Sequence, residues 1–285
     1  MISSASVRVR PFCSPTTRSR RLIVRMRSGA RHVPPEKARP LSPLEGAIEQ
    51  MRLSSDAGQS AAVLVSGDAG LYSLLEMLKR KIGGEYLRVH PGVSALQLFA
   101  ARLGVSWQDA KILSAHGRAL SESALCHAVR THRQTFCFLD AAHNPAWVRE
   151  SLNLGGLENV RLFVGERLSY PDERTEAYDP DATYDPLCMA YIENDAPESG
   201  LPPVGLSDEA FIRGKTPMTK RDVRVLVVSA LHLKPNGVVW DIGAGTGSVS
   251  VECARQCPLG EVYAVEMKDE ALDLIRRNAE RFHAL

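Results

Sequence analysis

A chain of 285 residues with 44% hydrophobic and 24% charged residues has the size and composition of an ordinary globular protein of two domains. No stretch approaches the roughly 18 consecutive apolar residues that a membrane-spanning helix needs. The net charge of +2 does not favour nucleic-acid binding, because the first 35 residues carry eight arginines and no acid and the remainder is mildly acidic. We therefore expect no membrane and no nucleic acid among the partners.

The N-terminal segment, residues 1–28, is rich in arginine and serine. This composition resembles that of an organelle transit peptide. The segment shows neither clean amphipathic periodicity nor a convincing cleavage region, so an unstructured or misassigned N terminus is the alternative. We expect residues 1–28 to be disordered and to lie outside the fold.

Residues 29–193 alternate short strands with helices, which predicts an α/β domain with a largely parallel sheet. An apolar run leads into Ser66-Gly67-Asp68-Ala69-Gly70 and then into a helical pattern, and the same strand–turn–helix order repeats along the chain. The predicted helices are 44–52, 71–81, 94–103, 121–130 and 144–152. The predicted strands are 61–65, 86–89, 110–114, 135–139, 160–164 and 189–192.

A polar stretch with three prolines follows, and we place a linker at residues 194–204. The second domain is then 205–285. Its predicted helices are 219–233, 248–256 and 269–282, and its predicted strands are 237–242 and 261–265.

Six cysteines are scattered along the chain, and none forms a Cys-x-x-Cys pair. Cys253 and Cys257 lie one helical turn apart, but no cluster of histidine or cysteine nearby completes a metal site. Buried thiols in a reducing cytoplasm are the favoured interpretation over metal ligands. We expect a cytoplasmic protein without a metal.

The sharpest motif is Val238-Val239-Trp240-Asp241-Ile242-Gly243-Ala244-Gly245-Thr246-Gly247. A hydrophobic strand leads into a turn with glycine at alternate positions, and a helix follows, so backbone amides at the helix N terminus face a ligand. Glu266 ends the next strand, where a carboxylate can accept hydrogen bonds from both ribose hydroxyls of an adenosine. The pattern predicts a nucleoside-binding site.

Two cofactors fit such a loop, and a tight turn without a ligand is a third possibility. Dinucleotide-binding loops space their glycines as Gly-x-Gly-x-x-Gly, which this loop does not. With its leading Asp241 it resembles motif I of the class I methyltransferases. That resemblance favours S-adenosylmethionine as the cofactor.

The segment ahead of this loop is Phe211-Ile212-Arg213-Gly214-Lys215-Thr216-Pro217-Met218-Thr219-Lys220-Arg221-Asp222-Val223-Arg224. It resembles the CbiT family, the decarboxylating C15-methyltransferases of corrin synthesis, and the likeness covers 205–285. The resemblance implies a Rossmann-like class I fold in which Glu266 holds the cofactor ribose. Thr219 is also a good N-cap for the following helix, so a structural role for it stays open. The implied cofactor contacts are Thr219, Gly243, Ala244, Gly245, Thr246 and Gly247.

The first domain resembles the CbiE family, the C5-methyltransferases of the same pathway, which have the tetrapyrrole methylase fold. The matching pieces are Ser66-Gly67-Asp68-Ala69-Gly70-Leu71-Tyr72, Pro91-Gly92-Val93-Ser94-Ala95-Leu96-Gln97, Ser106-Trp107-Gln108-Asp109-Ala110, His116-Gly117-Arg118 and Tyr170-Pro171-Asp172-Glu173-Arg174.

Several of these residues are candidates for the first site. The resemblance assigns Gly67, Asp68, Val93 and Ser94 to the cofactor, although Asp68 is also suited to a turn. His116 and Arg118 are candidates for binding the carboxylates of a polyacidic substrate, and a solvated turn is the alternative. No catalytic acid or base can be assigned.

Two departures from the family pattern concern the ends of the chain. The Gly-x-Gly-Pro-Gly loop that opens the tetrapyrrole methylase fold is not found, so we expect its first strand and glycine loop to be missing. The second domain stops after two predicted strands, so we expect only the N-terminal part of a class I methyltransferase. Edges and helix faces left open in this way favour a homo-oligomer.

The two resemblances together imply a methyltransferase of cobalamin biosynthesis. It would methylate a precorrin at C5 and C15 with S-adenosylmethionine and assist decarboxylation of the C12 acetate. A class I methyltransferase for another small molecule, and an inactive binding or scaffold fragment, are the competing hypotheses.

Overall fold

The computed structural model describes residues 5–9, 21–25, 38–40 and 43–284. They divide into two compact units, Met1–Ser106 with Arg167–Arg174 (unit 1) and Trp107–Glu166 with Thr175–Leu285 (unit 2). This division differs from the predicted boundary at 194–204, because unit 2 contains the predicted second domain together with much of the first.

Unit 1 is built on a five-stranded sheet in the order β3-β2-β4-β1-β5. Its core consists of apolar side chains from β4, α1 and α2, among them Val63, Met51 and Leu78, which are buried. Its strands are β1 Ala5–Val9, β2 Arg21–Arg25, β3 Ala38–Pro40, β4 Ser60–Val65 and β5 Leu87–His90, and its helices are α1 Leu44–Asp56, α2 Leu75–Ile82 and α3 Ala95–Leu103.

The N-terminal strands correct a prediction. Residues 1–28 were expected to lie outside the fold, and a first strand was expected to be missing, but β1 and β2 fall in this segment. β1 pairs antiparallel with β4 and β5, and β2 pairs parallel with β4. Ala5–Val9 alternates small or apolar residues with polar ones, a strand signal that the arginine-rich composition obscured. Residues 1–4, 10–20 and 26–28 lie outside the described residues.

Unit 2 contains a five-stranded sheet in the order β6-β7-β10-β8-β9 and a separate parallel pair, β11-β12. The strands are β6 Lys111–Ser114, β7 Gln134–Phe138, β8 Arg161–Glu166, β9 Arg174–Ala177, β10 Cys188–Glu193, β11 Val238–Ile242 and β12 Glu261–Val265. The helices are α4 Glu122–Thr131, α5 Pro145–Leu154, α6 Arg221–Ala230, α7 Ser248–Gln256 and α8 Asp269–Arg281.

The prediction of a largely parallel sheet is wrong, because both five-stranded sheets are mixed. β10 runs antiparallel to both of its neighbours, β7 and β8. The segment between β8 and β10 contains no helix, so no crossover of the kind that joins parallel strands is available there. The broader prediction of an α/β fold is confirmed.

Three helices begin directly after an N-cap residue whose side chain accepts a hydrogen bond from a backbone amide of the first turn. The Ser94 hydroxyl accepts from the Gln97 amide, and the Gln97 side chain accepts from the Ser94 amide, which completes a capping box. Ser121 and Asn144 cap α4 and α5 through a single side-chain bond each, accepting from the amides of Ala124 and Trp147. Thr219, however, is not an N-cap, because α6 begins at Arg221 after Lys220.

Apolar side chains on one face of the β11–β12 pair are exposed. Val238, Trp240 and Ile242 are 62%, 64% and 70% exposed, and the rings of Trp240 and Tyr263 stack with centroids 4.7 Å apart. An apolar patch of this kind is typical of a surface that packs against protein. No helix among the described residues combines the length and apolar character needed to cross a membrane.

The described cysteines are all free and buried, which confirms the expected burial. Loss of solvation raises the pKa of Cys126 to about 11 and the pKa of Cys137, Cys188 and Cys253 to about 12. These thiols are therefore protonated at neutral pH. Cys13 lies outside the described residues.

Candidate cofactor sites

The glycine loop, residues 243–247, joins β11 to α7 as the sequence predicts. Gly243, Gly245 and Gly247 have φ angles of +80°, +56° and +76°, the left-handed region that residues with a Cβ avoid. The amides of Gly243 and Ala244 both donate to the carbonyl of Val265, at 2.8 and 3.1 Å. The end of β12 therefore anchors the start of the loop.

The carboxylate of Glu266 closes the other side of the loop. Its Oε2 accepts from the Gly245 amide at 3.0 Å, and its Oε1 accepts from the amides of Met267 and Lys268 at 2.7 and 3.3 Å. Hydrogen bonds from Met267, Gly245 and Lys268 hold the pKa of Glu266 below its usual range. The sequence-predicted acid thus lies at the loop and is ionised at neutral pH.

The residues of the loop fit a bound nucleoside. A Cβ added at Gly243 would meet nothing within 4 Å, so the loop is open on this side. The Thr246 hydroxyl is buried without a hydrogen-bond partner among the described residues. Ser250 donates to Asp241 at 2.6 Å, which fixes the first turn of α7 to the end of β11.

The segment before α6 lies against the loop. A Cβ added at Gly245 would lie 3.2 Å from the carbonyl oxygen of Pro217 and 3.7 Å from Thr216. Thr219 lies two residues further along, and its carbonyl accepts from Arg224 at 2.6 Å. The CbiT-like segment therefore packs against the glycine loop, and a contact of Thr219 with the cofactor stays a prediction.

In unit 1 the structure brings the two predicted cofactor loops together. Gly67 has a φ of +70°, and a Cβ there would lie 3.5 Å from the Cα of Ser94 and 3.9 Å from the carbonyl oxygen of Val93. Asp68 Oδ1 accepts from the Gly70 amide at 2.7 Å, which is the turn-forming role. Ser94 is engaged in its capping box, so the polar side chains here stabilise the loops and leave backbone groups to meet a ligand.

His116 and Arg118 lie in the turn after β6 of unit 2, and both are exposed. The turn is closed by a hydrogen bond from the Arg118 amide to the Ala115 carbonyl at 3.2 Å. Ser114, at the end of β6, has a buried hydroxyl without a partner among the described residues. Exposure leaves both a substrate role and a solvated turn open.

Unit 2 also contains a cavity of about 1010 Å³ that is separate from the predicted site residues. Its walls come from α4, residues 197–203, the end of α7 and residues 282–284. None of the predicted site residues lines it, so we do not assign the cofactor to this cavity.

Sequence reasoning missed three buried polar residues around the glycine loop: Arg224, Glu252 and Asn278. Each is 0% exposed. A signal was present for two of them, because Arg224 shares a helix face with Val228, and Asn278 shares one with Ala271 and Leu274. A polar residue on an apolar helix face indicates a buried hydrogen-bond network.

The two outer glycines of the loop provide a matched test of its packing. We expect Gly243→Ala to lower the free energy of unfolding by about 1–2 kcal/mol, the cost of a left-handed conformation. Gly247→Ala should cost about 2–4 kcal/mol, because its Cβ would also lie 3.2 Å from the Cα of Ile275. Urea denaturation measures both, and equal losses would show that the loop does not pack tightly on α8.

Family models match both parts of the chain. One described as Tetrapyrrole (Corrin/Porphyrin) Methylases matches residues 6–179, and one described as Precorrin methyltransferase domain matches residues 209–284. The chain belongs to the tetrapyrrole methylase family. Its C-terminal part is similar to a precorrin methyltransferase domain.

Named relatives are similar to this chain over different lengths. The precorrin-6Y C(5,15)-methyltransferase (decarboxylating) of a Sinorhizobium species is 31% identical over 252 residues, which are 85% of this chain and 59% of that protein. A probable cobalt-precorrin-6B C(15)-methyltransferase (decarboxylating) of Pyrobaculum calidifontis is 51% identical over 80 residues, which are 27% of this chain and 41% of that protein. The chain thus spans less than two thirds of either relative.

A solved structure supports the fold assignment. The X-ray structure of CbiF, a cobalt precorrin-4 methyltransferase, covers 60% of this chain and 83% of its own, with a TM-score of 0.50 and 15% identity. At this identity the likeness bears on the fold alone, and it confirms the tetrapyrrole methylase fold expected for the N-terminal part.

Proposed function

We propose that the protein is an S-adenosylmethionine-dependent C-methyltransferase of cobalamin biosynthesis, acting on a precorrin-6Y or precorrin-6B type substrate at C5 and C15. Decarboxylation of the C12 acetate accompanies the C15 step. The observation that carries the proposal is the glycine loop, turned by three left-handed glycines and hydrogen-bonded at Gly245 to the Glu266 carboxylate. The names of the two relatives, which are decarboxylating methyltransferases, support the reaction.

S-adenosylmethionine supplies a methyl group already activated on a sulfonium. In the C-terminal site, the amides of residues 243–247 would face the cofactor, and Glu266 would take its ribose hydroxyls. In the N-terminal site, the backbone around Gly67, Val93 and Ser94 would line the cofactor. The protein's own contribution is alignment of the reactants and exclusion of water.

The substrate is a polyacid, and two exposed side chains suit it. His116 and Arg118 project from one turn, and arginine binds carboxylates in a bidentate manner. We propose them as substrate contacts. No described side chain is assigned as a catalytic acid or base.

We assign the C5 step to the domain predicted at 29–193, now extended upstream by β1 and β2, and the C15 step to 205–285. Residues 194–204 form the linker. The two family models, which span 6–179 and 209–284, support this assignment. A homo-oligomer stays a prediction, which the exposed apolar face of Val238, Trp240 and Ile242 favours. A cytoplasmic location also stays a prediction.

Calorimetry of the whole chain with S-adenosylmethionine tests the cofactor, and mass spectrometry of a precorrin substrate tests the reaction. We expect micromolar binding, a gain of methyl groups and loss of carbon dioxide. Binding without methylation of the precorrin would favour a methyltransferase for another small molecule. Absence of binding would favour a scaffold role and overturn the proposal.

A further inference from the structure

Asn278 is a fully buried amide on the apolar face of α8. It follows Ala271 and Leu274 at helical spacing, and all three are buried. Its side chain makes three hydrogen bonds to backbone. Nδ2 donates to the carbonyls of Thr246 at 2.8 Å and Ile212 at 3.1 Å, and Oδ1 accepts from the Ile212 amide at 2.8 Å.

These bonds join two stretches of irregular backbone that form the candidate site. Thr246 belongs to the glycine loop, and Ile212 belongs to the segment that leads to α6. The loop also rests on α8 next to Asn278, since a Cβ added at Gly247 would lie 3.2 Å from the Cα of Ile275. The aromatic rings of Phe211 and Phe282 lie 4.8 Å apart and join the same segment to the end of α8.

We propose that Asn278 is a positioning residue that sets the conformation of the glycine loop relative to the segment before α6. Through it, Gly245 is held close to both Pro217 and Glu266 before any cofactor binds. The inference rests on the proposed function, because the loop is the proposed site for S-adenosylmethionine.

Asparagine is suited to this place because the site needs two donors and an acceptor on one planar group. Aspartate would keep the bond from the Ile212 amide but would place a carboxylate against two carbonyl oxygens. Leucine has a similar volume and would make none of the three bonds. A buried carbonyl or amide that loses its partner is costly, so each change should release the loop.

Hydrogen exchange at single amides, in the whole chain without ligand, tests this role. In Asn278→Asp and Asn278→Leu we expect the amides of residues 243–247 to exchange at least about tenfold faster than in the wild type. Val228→Ala is the control, because it removes buried volume from α6 without touching a hydrogen bond. It should lower global stability and leave the loop amides within about twofold of the wild type. Where the wild type binds S-adenosylmethionine at two sites, the Asn278 variants should bind at least about tenfold more weakly at one of them and unchanged at the other.

A measurement on the wild type keeps the inference testable if both variants fail to fold. The Ile212 amide lies outside any helix or strand and bonds to Asn278, so it should be protected from exchange. An Ile212 amide that exchanges as fast as an exposed one would overturn the inference.

Loop exchange in the Asn278 variants that matches the Val228→Ala control would also overturn it, as would unchanged cofactor affinity at both sites. A wild type that binds no S-adenosylmethionine would defeat the proposed function instead. Hydrogen exchange at the amides of residues 243–247 would then still show whether Asn278 positions the glycine loop.

Discussion

Replacing Glu252 by alanine is expected to lower the free energy of unfolding of unit 2 by about 3–5 kcal/mol, because it removes a buried carboxylate that accepts from backbone amides and leaves the buried Arg224 with only one of its two carboxylate partners. Glu252 and Arg224 are both 0% exposed, and Arg224 Nε lies 3.6 Å from Glu252 Oε1. The Glu252 carboxylate also accepts from the amides of Gly205 at 3.2 Å and Leu206 at 2.8 Å. Those amides would lose their partner as well.

Arg224 connects Glu252 to several residues of the segment before α6. Its guanidinium donates to Asp208 at 2.8 Å, to the Thr219 carbonyl and to the Leu206 carbonyl, and it lies over the Phe211 ring, 4.7 Å from the centroid. The bond from Arg224 lowers the pKa of Asp208. Loss of Glu252 should therefore disturb the segment before α6, which packs against the glycine loop, in addition to lowering the free energy of unfolding.

Urea denaturation followed by tryptophan fluorescence measures the loss. Glu209→Ala, at an exposed acid nearby, is the matched control and should change stability by less than about 0.5 kcal/mol. A Glu252→Ala variant that loses less than about 1 kcal/mol would show that the carboxylate is solvated.

Local structure could be predicted from the sequence wherever the signal lay within a few residues. α7 and β12 have the predicted bounds, and Ser94 and Asn144 cap the helices that they precede. Glycines at alternate positions also predicted a left-handed loop. Each of these signals depends on residues that lie close together in the sequence.

Features that depend on distant partners could not be predicted in this way. Glu252 bonds to amides 46 and 47 residues away, and Asn278 bonds to Ile212 across 66 residues. The antiparallel pairing of β10 depends on which strands meet in the sheet, and alternation of strands with helices does not specify this. The acid at the loop was predicted because Glu266 directly follows β12, the strand that comes after the loop and α7 along the chain.

Replacing Glu266 by alanine is expected to weaken binding of S-adenosylmethionine by about 100-fold, because two proposed ribose bonds to a charged acceptor are lost. The structure adds a second cause. Glu266 accepts from the Gly245 amide at 3.0 Å, so its removal also frees the loop that faces the cofactor. Glu266→Gln keeps one acceptor oxygen and should lose about tenfold. Glu270→Ala removes an exposed acid from the first turn of α8 and should bind as the wild type does.

The pH dependence of binding separates a ribose acceptor from a merely structural acid. Because the pKa of Glu266 is lowered, its contribution is present above the ordinary carboxyl pKa of about 4.3 and is lost only as the pH falls through the lower, folded-state value. Wild-type affinity at this site, measured by calorimetry, should therefore stay level from neutral pH down to the ordinary carboxyl pKa and fall only at lower pH, whereas the affinity of the Glu266→Gln variant should not show that fall. If Glu266→Ala folds correctly and binds S-adenosylmethionine with the same number of sites and the same affinities as the wild type, the loop and its acid are not a cofactor site, and the C-terminal assignment fails.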